Sequence, residues 1–353
     1  MKRKKILCTT IALLGIIATT LFTGCSNSSA STNSENSKIL NIYNWGDYID
    51  PDLVDKFQEE TGIKVNYNTF DTNETMYSKI KDGSSNYDLI VPSDYMIEKM
   101  RKENLLEKID YKYIPNYKYV GKQFKDLPYD PHNEYSVPYM WGTVGIAYNS
   151  KIIKKPVDSW NILWDKDYKN QIVMVDSVRD AMAVALKKLG YSLNTTNPKE
   201  IDKAAEELRN EKPLVQAYMV DEVKDALISG EVAVAPVWSG DAMYIMDENP
   251  DIKYVIPKEG SNLWYDALAI PKGAKHKKEA EEFINFLCEP ENALKNVEYI
   301  GYQTPITKAY EMLPQDVKDK YPTEEELKRC EVFNDLSPKA LRNYNDAWIK
   351  VRS

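Results

Sequence analysis

Segments typical of β-strands and of α-helices alternate along most of this chain, and this order restricts the folds that are open to it. The run KILNIYNW predicts a first strand, and Asp50 followed by Pro51 predicts the cap and first turn of a helix that ends at Gly62. A strand KVNYNTF, a polar helix ending near Gly83, a strand YDLIVPS and a helix YMIEKMRKEN follow. This βαβαβα order is typical of a parallel sheet with helical crossovers, so we predict an α/β fold.

A second series of the same kind begins after about residue 145. It contains QIVMVDS, a helix ending at Gly190, the helix NPKEIDKAAEELRN, and then LVQAYM, DEVKDALISG and VAVAPVW. Asn197 and Pro198 mark the start of its middle helix as cap and first-turn proline. Two such series predict two α/β lobes, and a cleft between them would bring distant residues onto one ligand.

The first residues have the features of an export signal. MKRKK is basic, and ILCTTIALLGIIATTL is apolar but too short for a comfortable membrane span. The sequence LFTGC resembles the lipobox of bacterial lipoproteins, which implies a signal peptide over 1–24 and lipid on Cys25; an ordinary secretory signal with an incidental cysteine is the alternative. The polar residues that follow predict a flexible tether over 25–37. Removal of the signal leaves 329 residues of the 353, a size expected for two domains.

Charge and cysteine content narrow the ligand and the compartment. The formal net charge of −8 becomes −12 when the four basic residues of the signal are removed, which argues against a nucleic-acid partner and favours cations. Acidic charge that merely keeps a secreted protein soluble is the alternative. Cys8 would leave with the signal, so Cys288 and Cys330 remain, and we expect free thiols rather than a disulfide framework.

Four of the seven tryptophans have an acid within the next three residues, and three of these pairs are candidates: Trp45 with Asp47, Trp238 with Asp241 and Trp264 with Asp266. A flat aromatic ring attracts an alkylammonium ion while a carboxylate neutralises it, so three pairs suggest a ligand with several amines. An acid-rich composition produces such pairs by chance, and their position in the fold has to support them. Ligands of open α/β sheets gather beyond the carboxyl ends of the strands. Residues of this kind end or follow predicted strands at Trp45, Ser93, Ser177 and Trp238.

Each candidate also has a structural interpretation. Trp45, Trp238 and Trp264 would serve as core aromatics, and Ser93 as a helix N-cap. Asp180 lies three residues after Ser177, which is the spacing of a capping box, and Asp241 falls in a first helical turn. Asp47 would be a solvated turn acid.

The similarity of many separate segments identifies a family. The segments YNWGDYI, TGIKVNY, NETMYSKI, YDLIVPSDYMIEKMRKENLLEKID, SVPYMWGTVGIAYN, LKKLGYSLNTTNPKEI, WYDALAIP, INFL and YIGYQTP resemble, in this order, the spermidine/putrescine-binding proteins of bacterial ABC importers. The resemblance runs from about Lys38 to Tyr302. It implies the two-lobed type II periplasmic-binding-protein fold, with a hinge crossed near WGTVGIAYN and again near LWYDALAIP. The lobes would be 38–145 with 265–310, and 146–264 with 311–353.

The same resemblance implies a polyamine site. Its residues would be Trp45, Asp47, Tyr48, Ser93, Tyr95, Ser177, Asp180, Trp238, Asp241, Trp264, Asp266 and Tyr302. Ser177 stands where spermidine-preferring relatives have a carboxylate, and Asp180 where relatives carry the longer Glu. Asp241 matches an acid of putrescine-preferring relatives, so the choice between diamine and triamine stays open. Asp266 is the first choice for an amine anchor.

The resemblance implies a monomeric, non-catalytic receptor, anchored by lipid to the outer face of the cell membrane, that needs no cofactor. It would capture a polyamine and deliver it to an ABC permease driven by a separate ATPase. The residues themselves favour no enzyme, because His132 and His276 are isolated and neither GxSxG nor HExxH occurs. The alternatives are a lipid-anchored glycoside hydrolase with tryptophan platforms and a binding protein of the same fold for another small solute.

Overall fold

A computed structural model describes residues 38–83 and 85–353 of the chain. The predicted signal peptide (1–24), the lipidation site Cys25 and the tether (25–37) lie outside the described residues. Within the described part, no helix has the length and apolar character needed to cross a membrane. Cys288 and Cys330 are both free thiols.

The described residues form strands and helices that follow the predicted alternation. The strands are β1 (Ile39–Trp45), β2 (Lys64–Phe70), β3 (Leu89–Ile90), β4 (Ser136–Asn149), β5 (Ile172–Val175), β6 (Val215–Met219), β7 (Val234–Trp238), β8 (Ile252–Val255) and β9 (Leu263–Ala269). The α-helices are α1 (Pro51–Thr61), α2 (Asn73–Lys81), α3 (Asp94–Lys102), α4 (Val178–Lys188), α5 (Pro198–Glu211), α6 (Val223–Ser229), α7 (Ser239–Glu248), α8 (Lys277–Leu287), α9 (Pro290–Ile300), α10 (Thr307–Met312), α11 (Gln315–Lys318), α12 (Glu324–Leu327) and α13 (Pro338–Arg352). Short 3₁₀ helices lie at Tyr111–Tyr113, Pro115–Tyr119, Lys122–Phe124, Trp160–Trp164 and Lys166–Tyr168.

The strands join in the order β2-β1-β3-β9-β4-β7-β5-β6, and β8 pairs with β4 outside this path. The predicted parallel pairing is confirmed in both series, because β1 is parallel to β2 and β3, and β5 is parallel to β6 and β7. β9 is antiparallel to β3 and β4, and β4 is antiparallel to β7. Two parallel groups are therefore joined through antiparallel strands in the middle of the sheet.

The long strand β4 is antiparallel to its partners and links the two parallel groups. Its residues 136–143 pair with β9, whereas residues 144–149 pair with β7 and β8. We call β2, β1, β3, β9 and residues 136–143 the first half of the sheet, and residues 144–149 with β7, β8, β5 and β6 the second half. The chain from Lys38 to Ser353 forms one compact unit, so the division into lobes at 145, 265 and 310 stays a prediction.

Local signals set the helix starts that present site residues. Asp50 caps α1 by accepting a hydrogen bond of 3.0 Å from the Asp52 N–H, Pro51 occupies the first turn, and Gly62 ends the helix with a φ of 71°. These three predictions are confirmed. Two strand ends also lie where the sequence predicts them, because β1 ends at Trp45 and β7 ends at Trp238.

Candidate ligand-binding site

The strand β9 presents Trp264 and Asp266 on the same side, because side chains two residues apart share a face of a strand. Both are buried. Trp264 lies opposite Gly142 of β4, and a Cβ at that glycine would stand only 2.6 Å from the indole Cζ2. The absence of a side chain at position 142 thus lets the indole lie directly on the neighbouring strand.

Asp266 is a buried carboxylate with one oxygen satisfied and one free. Its Oδ2 accepts a hydrogen bond of 2.7 Å from the Tyr48 hydroxyl, while Oδ1 has no partner among the described residues. Burial raises the pKa of the Asp266 carboxyl from 3.8 to about 6, and the hydroxyls of Ser93 and Tyr48 partly offset this rise. An unpaired buried carboxylate oxygen is costly, and a cationic ligand would satisfy it.

Three aromatic rings form a group next to this carboxylate. The ring of Tyr302 lies 5.2 Å from Trp264 and 5.5 Å from Tyr48, edge to face in both cases. The indole N–H of Trp264 is buried and, within the described chain, has no acceptor. Tyr302 also covers Gly240 at the start of α7, where a Cβ would lie 2.4 Å from the tyrosine ring. The aromatic group therefore joins the first half of the sheet to α7, which follows β7 of the second half.

Asp94 lies beside this site and was not predicted. Its Oδ1 accepts a hydrogen bond of 2.6 Å from the Tyr95 N–H, and its Oδ2 accepts one of 3.0 Å from the Tyr265 N–H. Complete burial raises the pKa of Asp94 to about 8, and the nearby charge of Asp266 adds to that effect. Both oxygens are committed to the backbone, so Asp94 ties α3 to β9. The position of Asp94 directly after the VPS end of a predicted strand is the sequence signal that could have indicated its role.

A second acidic group lies around α7. Asp241 is largely buried, and its Oδ1 is 3.7 Å from the ammonium nitrogen of Lys224. Burial raises the pKa of Asp241 to about 6, and Lys224 counteracts this rise. Trp238 occupies the N-cap position of α7 and is half-buried. Asp47 is exposed and has a left-handed backbone conformation with φ 45°, which agrees with its interpretation as a solvated turn acid. Its charge nevertheless acts on Lys224.

Ser177 and Asp180 form the helix cap that their spacing suggested. The Ser177 hydroxyl accepts from the Asp180 N–H and donates a hydrogen bond of 2.6 Å to Asp180 Oδ2. Burial raises the pKa of Asp180, which Ser177 and Arg179 counteract and Glu74 increases. Glu74 lies on α2, between β2 and β3, and also accepts a hydrogen bond from the Tyr95 hydroxyl at 3.1 Å. The cap is therefore close enough to α2 for the charge of Glu74 to act on Asp180.

Ser93 and Trp45 both contact neighbouring elements of the fold, and Ser93 also forms an isolated antiparallel bridge with Asp266. Ser93 precedes α3 but makes no side-chain cap; its hydroxyl accepts a hydrogen bond of 3.0 Å from the Asn73 amide. The Trp45 indole donates to the Val91 carbonyl at 2.9 Å and packs 4.5 Å from Phe70. The interpretation of Trp45 as a packing residue thus has direct support, whereas that of Ser93 as a side-chain cap does not.

Arg179 is a second residue that the sequence interpretation did not place in the site. Its guanidinium lies 4.3 Å from the Phe333 ring and 5.8 Å from that of Tyr95, and it donates to Asn194 at 3.2 Å. Burial lowers the pKa of Arg179. This cation therefore lies over the Phe333 ring, and its charge acts on the neighbouring Asp180.

This fold and this arrangement define a class of protein. Residues 52–324 match the bacterial extracellular solute-binding protein family, and the chain belongs to that family. The chain is 42% identical to the spermidine/putrescine-binding periplasmic protein of Salmonella typhimurium over 92% of its own length and 94% of the relative's. It is 41% identical to the Escherichia coli K12 protein of the same description, with the same coverage.

A solved structure agrees with these relatives. The spermidine/putrescine ABC transporter substrate-binding protein of Streptococcus pneumoniae superimposes with a TM-score of 0.80 at 42% identity, covering 90% of this chain and 99% of that one. The predicted type II periplasmic-binding-protein fold is thereby confirmed. The relatives are solute-binding proteins.

Proposed function

We propose that this protein is an extracytoplasmic polyamine receptor that delivers its ligand to an ABC permease driven by a separate ATPase. The observation that carries the proposal is the free, buried Oδ1 of Asp266 beside Trp264, Tyr302 and Tyr48. An ammonium ion entering this space would gain a charge-assisted hydrogen bond, and the rings would cover the methylene groups. The names of the relatives support spermidine and putrescine as ligands.

The protein would act as a monomer without a cofactor. Its two lobes would close on the ligand. Trp45, Asp47, Ser93, Tyr95, Ser177, Asp180, Trp238 and Asp241 complete the proposed site around Tyr48, Trp264, Asp266 and Tyr302. Contacts to both lobes would favour the closed state as a population shift.

A hydrolase requires two available carboxyl groups, one of them in an apolar pocket. Asp266 does lie among aromatic rings, which is the environment that a general acid needs. Asp94, however, has both oxygens engaged by backbone N–H groups. A non-catalytic role therefore accounts better for this pair.

Calorimetry with putrescine, spermidine, spermine and sucrose tests the proposal. We expect at least one amine to bind more tightly than roughly 100 μM, near −5.5 kcal/mol, and sucrose to give no heat of binding. Amine binding weaker than that limit would refute the polyamine proposal. Sucrose binding would favour the carbohydrate alternative.

The affinity for the amine should fall in acid. The carboxyls of Asp266 and Asp241 each have a pKa raised to about 6 by burial, and a cation binds only the ionised form. Each carboxylate that must lose a proton lowers the affinity up to about tenfold per pH unit below its pKa. The dissociation constant for the amine should therefore be at least about tenfold higher at about pH 5 than at about pH 7.5, and binding at the lower pH should release protons. Equal affinities would show that no buried carboxyl meets the amine.

Membrane attachment is proposed to depend on lipid at Cys25. Cys25→Ser should move the protein from the membrane fraction to the soluble fraction of cells that express the full chain. The chemically similar Cys330→Ser, at a free thiol of the folded part, should leave attachment unchanged. Membrane retention of the Cys25 variant would reject the lipid anchor.

A further inference from the structure

A series of buried hydrogen bonds connects Asp266 with the helix α9. The Tyr48 hydroxyl donates to Asp266 Oδ2 at 2.7 Å, and the Tyr139 hydroxyl, on β4, donates to the Tyr48 carbonyl oxygen at 2.6 Å. The Asn296 amide, on α9, donates to the Tyr139 oxygen at 2.8 Å and accepts from the Asp50 N–H at 2.9 Å. All five residues are buried. We call these five residues the hydrogen-bond relay.

The direction of the bonds in the relay is fixed from one end. The Asp50 N–H can only donate, so the Asn296 amide presents its oxygen there and its nitrogen to Tyr139. The Tyr139 oxygen accepts that bond, and its one proton is left for the Tyr48 carbonyl. An acceptor in place of the Asn296 nitrogen would compete for the same proton. The Asn296 amide therefore determines what Tyr139 offers to Tyr48.

Tyr48 depends on such contacts because it belongs to no strand or helix. It lies in the connection 46–50 between β1 and α1. Tyr139 contacts it twice, through the hydrogen bond to its carbonyl and through a ring 5.5 Å away that packs edge to face. With Tyr48 held in this way, its hydroxyl meets Asp266 Oδ2, and Oδ1 is left without a partner among the described residues.

We propose that Asn296 and Tyr139 are positioning residues for ligand binding: they hold Tyr48 where its hydroxyl engages one oxygen of Asp266 and leaves the other for an ammonium ion. The inference rests on the proposed function. Neither residue belongs to the proposed site itself, so each acts on the ligand through Tyr48. Orienting the carboxylate before the ligand arrives reduces the free energy that its ordering costs on binding.

Two substitutions of Asn296 separate hydrogen-bond direction from packing. Asn296→Asp keeps the shape, but an ionised carboxylate only accepts, so it draws the Tyr139 proton away from the Tyr48 carbonyl. Asn296→Leu removes the donor without adding a competing acceptor. A packing role predicts the larger loss of affinity for Asn296→Leu, because leucine changes the shape and leaves the Asp50 N–H unpaired. The relay predicts the larger loss for Asn296→Asp.

Calorimetry at about pH 8 measures both variants with whichever of putrescine and spermidine the wild type binds more tightly. We expect the Kd to rise at least about tenfold for Asn296→Asp and less than about threefold for Asn296→Leu. The reverse order, or an unchanged Kd for Asn296→Asp, would overturn the proposal.

A double-mutant cycle tests whether the effect passes through the Tyr48 hydroxyl. Tyr139→Phe removes the bond to the Tyr48 carbonyl and should raise the Kd at least about fivefold. In the Tyr48→Phe background the same substitution should change the Kd less than about twofold, since the hydroxyl that Tyr139 positions is already absent. Equal changes in both backgrounds would refute the positioning role. This cycle also carries the test if Asn296→Asp does not fold.

The pH dependence of binding gives a second readout for Tyr139→Phe. The Tyr48 hydrogen bond lowers the pKa of Asp266, so its loss should raise that pKa. Asp94 and Ser93 also act on Asp266 and are the same in both proteins. The pH at which amine affinity falls should therefore be higher in the variant than in the wild type, and an identical pH profile would contradict the proposal.

Asn292→Asp is the matched control. Asn292 is also buried, one turn earlier on α9, and its amide bonds to the Phe286 carbonyl, Glu289 and Lys56 instead of the relay. We expect its melting temperature to fall while its Kd for the amine stays within about twofold of the wild-type value. A loss of affinity equal to that of Asn296→Asp would assign the effect to a new charge in α9 and exclude the relay.

These results are distinguishable from failure of the proposed function. If the wild type binds no amine, the function itself is wrong. If amines bind and the relay variants keep the wild-type affinity, only the positioning role is wrong.

Discussion

Asp266→Asn is expected to weaken the preferred polyamine by about 30- to 150-fold, equivalent to about 2–3 kcal/mol, because the buried charge that receives the ammonium is lost. The substitution preserves the shape of the side chain, and the amide oxygen still accepts the Tyr48 hydroxyl hydrogen bond. Calorimetry at neutral pH measures the change. Asp158→Asn removes an acid from an exposed ion pair and should change the affinity less than about twofold.

Without ligand, the Asp266→Asn variant should be more stable than the wild type. The pKa of Asp266 is raised in the folded protein, so its ionisation makes folding less favourable as pH rises above the ordinary carboxyl range. Asp266→Asn should therefore melt at a higher temperature than the wild type at about pH 8, and the gain should shrink at about pH 5. Unchanged affinity together with unchanged melting would remove Asp266 from the site.

Gly240→Ala is expected to reduce polyamine affinity at least about 100-fold, because the new methyl group would overlap the Tyr302 ring. That ring cannot swing away easily, since it packs against both Tyr48 and Trp264. Alanine is favoured over glycine inside a helix by about 1 kcal/mol, so α7 itself should not suffer. Calorimetry should show the loss of binding, and the ligand-free melting temperature should also fall, because the same overlap exists without ligand.

Removal of the Tyr302 ring provides an internal control for Gly240→Ala. When Tyr302 is already alanine, adding Gly240→Ala should cost less than about threefold in affinity, because nothing remains for the methyl group to meet. Full binding by the single variant would show that Gly240 and Tyr302 are apart in the bound protein. Equal losses in both backgrounds would place the effect in α7 rather than at the ring.

Features that depend on neighbouring residues could be predicted from the sequence. The cap at Asp50, the end of α1 at Gly62 and the cap formed by Ser177 with Asp180 each follow from residues within one or two helical turns. The parallel pairing within each series follows from the strand and helix order. The strand YDLIVPS was predicted too long, since its continuous part is Leu89–Ile90, Ser93 forms only an isolated bridge with Asp266, and Pro92 lacks the N–H that a ladder requires.

The contacts that give the site its chemistry join residues far apart in the chain. Tyr48 reaches Asp266 across 218 positions, and no local pattern contains such a distance. Lys224 meets Asp241 because α6 packs against α7, and Asp94 meets Tyr265 because α3 packs against β9. The tryptophan and acid pairs could therefore nominate Asp266, but they could not show that Asp241 already has a partner.

The sharing of β4 between both halves of the sheet also limits how related chains can vary in length. A single residue inserted directly before Gly142, beyond the register shift that the strand already has between Pro138 and Met140, would reverse the facing of every later side chain of the strand. Gly142 would then no longer lie under Trp264, and the pairing with β9 and β7 would be displaced together. Insertions and deletions among functional relatives should thus fall in surface connections such as 190–197 or 313–323, while the fourteen positions of this strand keep a constant length.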